Sequence, residues 1–176
     1  MKRDQSLVPL SHQHQHGLAL CVLIRKGLES EQEPDPSNVA ELQRKVASLW
    51  KAELQGHFQV EENTLFPTIL AALDDTLEVV DLLTDQHHEI QEIVSAVAAA
   101  AGEEAIDPLL ELAELLERHI RIEERELFQL VQARLAAAEL ADLGKRLERR
   151  INRICPVTEK PPWEEQTESQ AADRSA

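Results

Sequence analysis

The stretch His57-Phe58-Gln59-Val60-Glu61-Glu62-Asn63-Thr64-Leu65-Phe66 reappears along the chain as His119-Ile120-Arg121-Ile122-Glu123-Glu124-Arg125-Glu126-Leu127-Phe128. Both copies place Glu-Glu four and five positions after His and close on Leu-Phe. Residues four apart stand one above the other on a helix, so each copy offers one imidazole and one carboxylate to the same point, as a metal pair requires. One such pair is commonly a solvated surface contact, but two in phase are poorly explained that way. Trp50 and Leu54 precede His57 by seven and three residues, and Leu112, Leu115 and Leu116 precede His119 by seven, four and three. Both histidines therefore continue an apolar stripe and face inward.

Working outward, a first helix is expected from about Ser11 to Ser30, with Ser11 as its cap and the proline-bearing stretch 30–37 ending it. A long second helix is expected from Ser37, as N-cap, to the Asp74-Asp75 pair. The third runs from about Leu77 to Ala101, where Gly102 can stop it, and the fourth opens with Asp107 as N-cap and Pro108 as first helical residue. A further amphipathic stretch over 140–151 predicts a fifth helix. The expected fold is all-α, an up-down-up-down four-helix bundle with this additional helix over residues 9–154, followed by a disordered acidic tail over 155–176, in which Trp163 is the only large apolar group.

The first and third helices should each bring an imidazole to the depth of the two motifs. His87 is followed by Ile90, Val94 and Val97 at three, seven and ten residues, whereas His88 is followed by Gln91, Glu92 and Ser95, so His87 is the inward one. On the first helix His14 aligns with Leu18, Cys21, Ile24 and Leu28, and His16 with Leu20 and Leu23. Both phases stay open there, with His14 preferred and His16 in reserve.

Composition agrees with helices: Tyr is absent, Phe occurs three times, and Ala, Leu, Glu, Gln and Arg dominate. A formal net charge of -15 argues against nucleic acid and anionic membrane surfaces as partners, which need a basic face. Cys21 and Cys155 form neither a CxxC pair nor a disulfide framework, so a reducing cytoplasm is expected. The N-terminus has basic residues without an apolar run behind them, and no stretch approaches bilayer-spanning length. The oligomeric state is not fixed by the sequence.

From about Pro9 to Arg134, the Pro-Leu-Ser-His-Gln-His opening and both ten-residue motifs resemble the hemerythrin-like, or HHE cation-binding, domain. The resemblance implies two non-haem iron ions with an oxo or hydroxo bridge. His14, His57, His87 and His119 would be terminal ligands, and Glu61 and Glu123 would bridge the ions. Members of that family carry or sense oxygen, sense or store iron, or handle nitric oxide or peroxide, so the expected partner is a small ligand such as oxygen, peroxide, nitric oxide or azide. The family's oxygen carriers have two histidines four apart on the third helix, but here Gln91 stands four residues after His87. Of roughly twelve positions around two octahedral ions, about two would then be left open.

Other residues carry blander readings. Glu62 and Glu124 point about a hundred degrees away from the bridging carboxylates and are expected behind the ligands or in solvent. Trp50 fills the core or screens the site, Cys21 is a small buried hydrophobe, and His12 with His16 is an HxxxH pair weak as a zinc signal. Ferritin-like di-iron enzymes use ExxH on two helices, which this chain lacks. The remaining alternative is an iron-responsive or zinc-binding regulatory or structural bundle without redox turnover. No nucleophile with its base and no phosphate loop is evident, so a classical enzyme is not expected beyond redox chemistry at the metal.

Overall fold

The computed structural model describes residues 2–28 and 35–164. Among them there are helices and no strands. Asp4 caps a short 3-10 turn, Gln5–Leu7, by accepting from the Ser6 amide, and this turn leads straight into α1, Val8–Leu28. The helix thus starts three residues before the expected cap at Ser11, because Pro9 is tolerated in a first turn. The expected end of α1 near Ser30 lies outside the described residues.

α2 begins at Pro36 and not at Ser37: Asp35 is the cap, its Oδ1 accepting from the Ser37 amide at 2.9 Å. It is one long rod built of Pro36–Leu49, Trp50–Leu54, Gln55–Val60, Glu61–Leu65 and Phe66–Ala72, of which Trp50–Leu54 and Glu61–Leu65 are π turns. α3 is Leu77–Ala99, and Gly102 at φ 56° breaks the path there, as only glycine does without strain. A 3-10 turn, Gly102–Ala105, feeds α4, which comprises Ile106–Ile122, the π turn Glu123–Leu127 and Phe128–Arg134. Because that turn already supplies the lead-in, Asp107 and Pro108 lie inside α4 and do not cap it. α5 is Ala137–Ile154.

The core is split in two. One cluster gathers Leu20 and Ile24 of α1, Val46 and Leu54 of α2, Ile90 and Val97 of α3, and Leu109 and Leu116 of α4. The other gathers Leu10 of α1, Leu65 and Ile69 of α2, Val80 and Leu83 of α3, and Phe128 and Val131 of α4. Successive helices traverse these clusters in opposite order, which is the up-down-up-down arrangement. Between the clusters each helix contributes polar residues to a common layer: Gln13 and His14, His57 and Glu61, Gln86 and His87, His119 and Glu123, all buried.

α5 lays Leu140, Leu143, Leu147 and Ile151 onto the second cluster only. It approaches closely enough that a Cβ on Gly144 would lie 2.7 Å from Ser6 Cβ. The chain from 155 differs from the expected disordered tail as far as it is described. Cys155 is fully buried, Thr158 Oγ1 donates to Glu53 Oε1 at 3.0 Å, and Trp163, 8% exposed, joins the first apolar cluster. The low apolar content of this segment concealed that one indole, preceded by two prolines that restrict the backbone, buries a large surface. Residues 165–176 lie outside the described residues. No described helix is long and apolar enough to cross a membrane.

Candidate metal centre

The HxxxE spacing acts as the sequence suggests. His57 Nε2 stands 3.0 Å from Glu61 Oε1 one turn along α2, and His119 Nε2 stands 3.4 Å from Glu123 Oε2 on α4. A π turn starts at each of these glutamates, adding a residue to the turn, and beyond it two successive residues, Leu65-Phe66 and Leu127-Phe128, are both buried. The bulge lets the ligand face and the apolar stripe beyond it point to the same side of one rod.

α1 and α3 complete the layer. His14 Nε2 lies 3.0 Å from Glu123 Oε2 and 3.0 Å from His57 Nε2, and His87 Nε2 lies 3.3 Å from Glu61 Oε2. The donor atoms form two groups, His14, His57, Glu61 and Glu123 on one side and Glu61, His87, His119 and Glu123 on the other, and within each group they lie within 4.8 Å of one another. All six residues singled out in the sequence are brought together, and both groups include the same two carboxylates. Of the two open choices on α1, His14 belongs to the layer. His16 turns elsewhere: its Nδ1 lies 3.0 Å from both carboxylate oxygens of buried Glu53, and His12 packs edge-on against it. These residues join no candidate metal group among the described residues.

Glu62 and Glu124 stand behind the candidate ligands, one of the two places the sequence allowed them, whereas the part of Gln13 and Gln86 in holding the rings was not expected. Gln13 Oε1 accepts from His57 Nδ1 at 2.9 Å and Gln86 Oε1 from His119 Nδ1 at 3.1 Å. Glu124 Oε1 holds His14 Nδ1 and Glu62 Oε1 holds His87 Nδ1, both at 2.7 Å. Every imidazole is thus fixed through Nδ1, with Nε2 left facing the centre. The signal was present, since Gln precedes His at both 13–14 and 86–87 and both motifs carry Glu-Glu at the same place. The pattern has an approximate two-fold symmetry: the amides act within a half of the chain, and the outer carboxylates reach across to the other half. Phe58 stacks on His87 with centroids 3.9 Å apart, and Phe128 stacks on His14 at 5.6 Å. Trp50, half-buried, meets Phe58 edge-on, and with Glu62, His87, His88 and Gln91 it lines a cavity of about 100 Å³.

The electrostatics show a cluster unsatisfied without a cation. Both oxygens of Glu61 and of Glu123, and the Nε2 atoms of His87 and His119, are buried without an aligned hydrogen-bond partner. Two imidazole Nε2 atoms 3.0 Å apart need a proton or a cation between them. Burial opposes charging His14, but Glu123 and Glu124 outweigh it and raise it to about 10; His87, similarly buried, is raised to about 9 by Glu61 and Glu62. Burial and the neighbouring His87 charge hold His119 well below its usual value. Burial also resists ionising Glu61, yet His57 and His87 hold it well below the carboxylate range, while burial and the Glu61 charge push Glu123 up. Buried, unpartnered carboxylates and imidazoles around shared points fit divalent or trivalent metal.

A family model described as the Hemerythrin HHE cation binding domain matches residues 8–131. No curated protein and no solved structure matches the chain.

Proposed function

Because the chain belongs to the hemerythrin HHE cation-binding family, we propose that it holds two non-haem iron ions in this layer and binds or senses oxygen or a related small ligand, such as peroxide or nitric oxide. The observation that carries this reading is the sharing of Glu61 and Glu123 by both donor groups, the arrangement that two carboxylate-bridged ions require. Iron bound there would supply redox chemistry and open coordination positions for a small ligand. The chain's own part is to orient and to exclude. Gln13, Gln86, Glu62 and Glu124 fix the four rings, and Phe58 and Phe128 cover two of them from water. Gln91 is exposed on the rim of the small cavity beside His87, and an amide there would leave a coordination position of a bound iron to water, which would favour binding of small anions over lasting oxygen storage. A cytoplasmic setting agrees with two free, buried cysteines.

The experiment is elemental analysis of the purified chain and of the metal-free chain reloaded anaerobically with ferrous iron, followed by an optical spectrum before and after air and azide. Two irons per chain and azide-sensitive charge-transfer bands are expected. Each donor group also has four residues, enough for tetrahedral zinc. Zinc alone, with iron refused on reloading, would replace this reading by a structural or regulatory zinc bundle.

A further inference from the structure

The basic residues of this acidic chain are concentrated. Lys145, Arg146, Arg149, Arg150 and Arg153 fall within nine residues of α5. The four arginines follow i, i+3, i+4, i+7, so they share one face of the helix, where like charges repel. Arg146 is tied down, with Nε donating to Asp142 Oδ2 at 3.0 Å and Nη1 to Thr68 Oγ1 at 3.1 Å. Among the described residues no ion pair or hydrogen bond engages Arg149 or Arg150. The helix dipole favours a cation in the last turn, which accounts for Arg153; of the other three, Arg146 is the one held by neighbours.

Those three guanidinium groups line a cavity of about 260 Å³ whose remaining wall is Asn63 and Thr64, with no acidic residue on it. Thr64 is 6% exposed, and its hydroxyl oxygen is buried without a hydrogen-bond partner. A buried hydroxyl without a partner is a cost that a ligand removes. We propose that this cavity binds a phosphate group, either inorganic phosphate or the phosphoryl end of a small monoester. Guanidinium forks match the oxygens of a tetrahedral dianion, the Thr64 hydroxyl supplies a further donor, and the Asn63 amide keeps one N–H beyond the bond its nitrogen makes to Gln59 O. The volume corresponds to roughly nine water molecules, room for a phosphoryl group and the first atoms of its carrier. A long polyanion does not fit, because Glu139 and Asp142 line the larger adjoining groove along the same helix. None of these residues belongs to the metal layer, so the site stands whichever metal is bound there.

The test is isothermal titration of the full chain at constant ionic strength in chloride, once with inorganic phosphate and once with glycerol 3-phosphate, against the double variant Arg149→Gln, Arg150→Gln. Saturable one-site binding is expected, weakened at least tenfold in the variant while its metal content and helix content stay unchanged. Tighter binding of the monoester identifies a phosphorylated small molecule as the ligand, and tighter binding of inorganic phosphate identifies the free ion. No saturable heat with either probe, or equal affinity in the variant, overturns the proposal. Thr64→Val, which keeps the shape and removes the hydroxyl, is expected to weaken binding as well, with no change in metal content.

Discussion

His14 and His87 are bases strong enough to keep their protons in the metal-free protein, and a metal ion has to displace them. Loading at pH 7 is therefore expected to release one proton from each, measurable by calorimetry in buffers of different ionisation heat, and apparent metal affinity should climb until pH reaches about 9 to 10. Metal uptake without proton release would mean that the rings start neutral. The sign for stability is the reverse: both groups are raised from 6.5, so the stabilisation they give the metal-free chain is complete below that value and is lost as pH rises through about 9 and then about 10. Gln86→Leu removes the acceptor of His119 Nδ1, and metal affinity is expected to fall by about 10- to 100-fold in a competition titration, with the fold intact by circular dichroism. The inward facing of His57, Glu61, His87, His119 and Glu123 was legible because spacing along one helix decides which way a side chain faces, whereas on α1 spacing left His14 and His16 both open. Gln13 and Gln86 were not legible, since an amide gains its role only from a ring on another helix, which periodicity does not place. His16 satisfied the same periodicity as a ligand and is drawn off by Glu53 on the neighbouring helix.

The helices themselves were readable from apolar spacing, and their ends less so. Ser11, Ser37 and Asp107 all have the chemistry of a cap, yet each lies inside its helix because Asp4, Asp35 and a 3-10 turn act earlier. Several residues near a helix start can accept from a free amide, and packing chooses among them. The π turns left no mark that an α-helical period detects, although the paired Leu-Phe at 65–66 and 127–128, both buried, is the trace of the extra residue. α5 is held by contact as close as its glycine permits. Gly144→Ala would set a methyl 2.9 Å from the Ser6 Cα, a backbone atom that cannot swing aside. A loss of about 1–3 kcal/mol is expected from that overpacking, read by urea denaturation, in spite of alanine's better helix propensity. No loss would show that the N-terminal turn is loosely seated.

Across the whole molecule, the segment after α5 returns past the polar layer, marked by Gln13 Nε2 donating to Cys155 O at 2.7 Å and by Thr158 on Glu53. Trp163→Ala is expected to lower stability by about 3 kcal/mol, in keeping with removal of a buried aromatic, whereas a change at a solvated tail would be neutral. Thermal unfolding of the metal-free chain distinguishes the two. The crossed dependence of the two halves bears on assembly. Each donor group takes one carboxylate from the opposite half, and Glu62 and Glu124 steady rings that belong to the other. Severed between Asp74 and Asp75, the polypeptide would give two fragments, each with three donors of one group and one of the other, and neither with a complete set. Such fragments should remain apart when mixed without metal and co-elute as a reconstituted pair once iron is added, making the cation the fastener of a split protein.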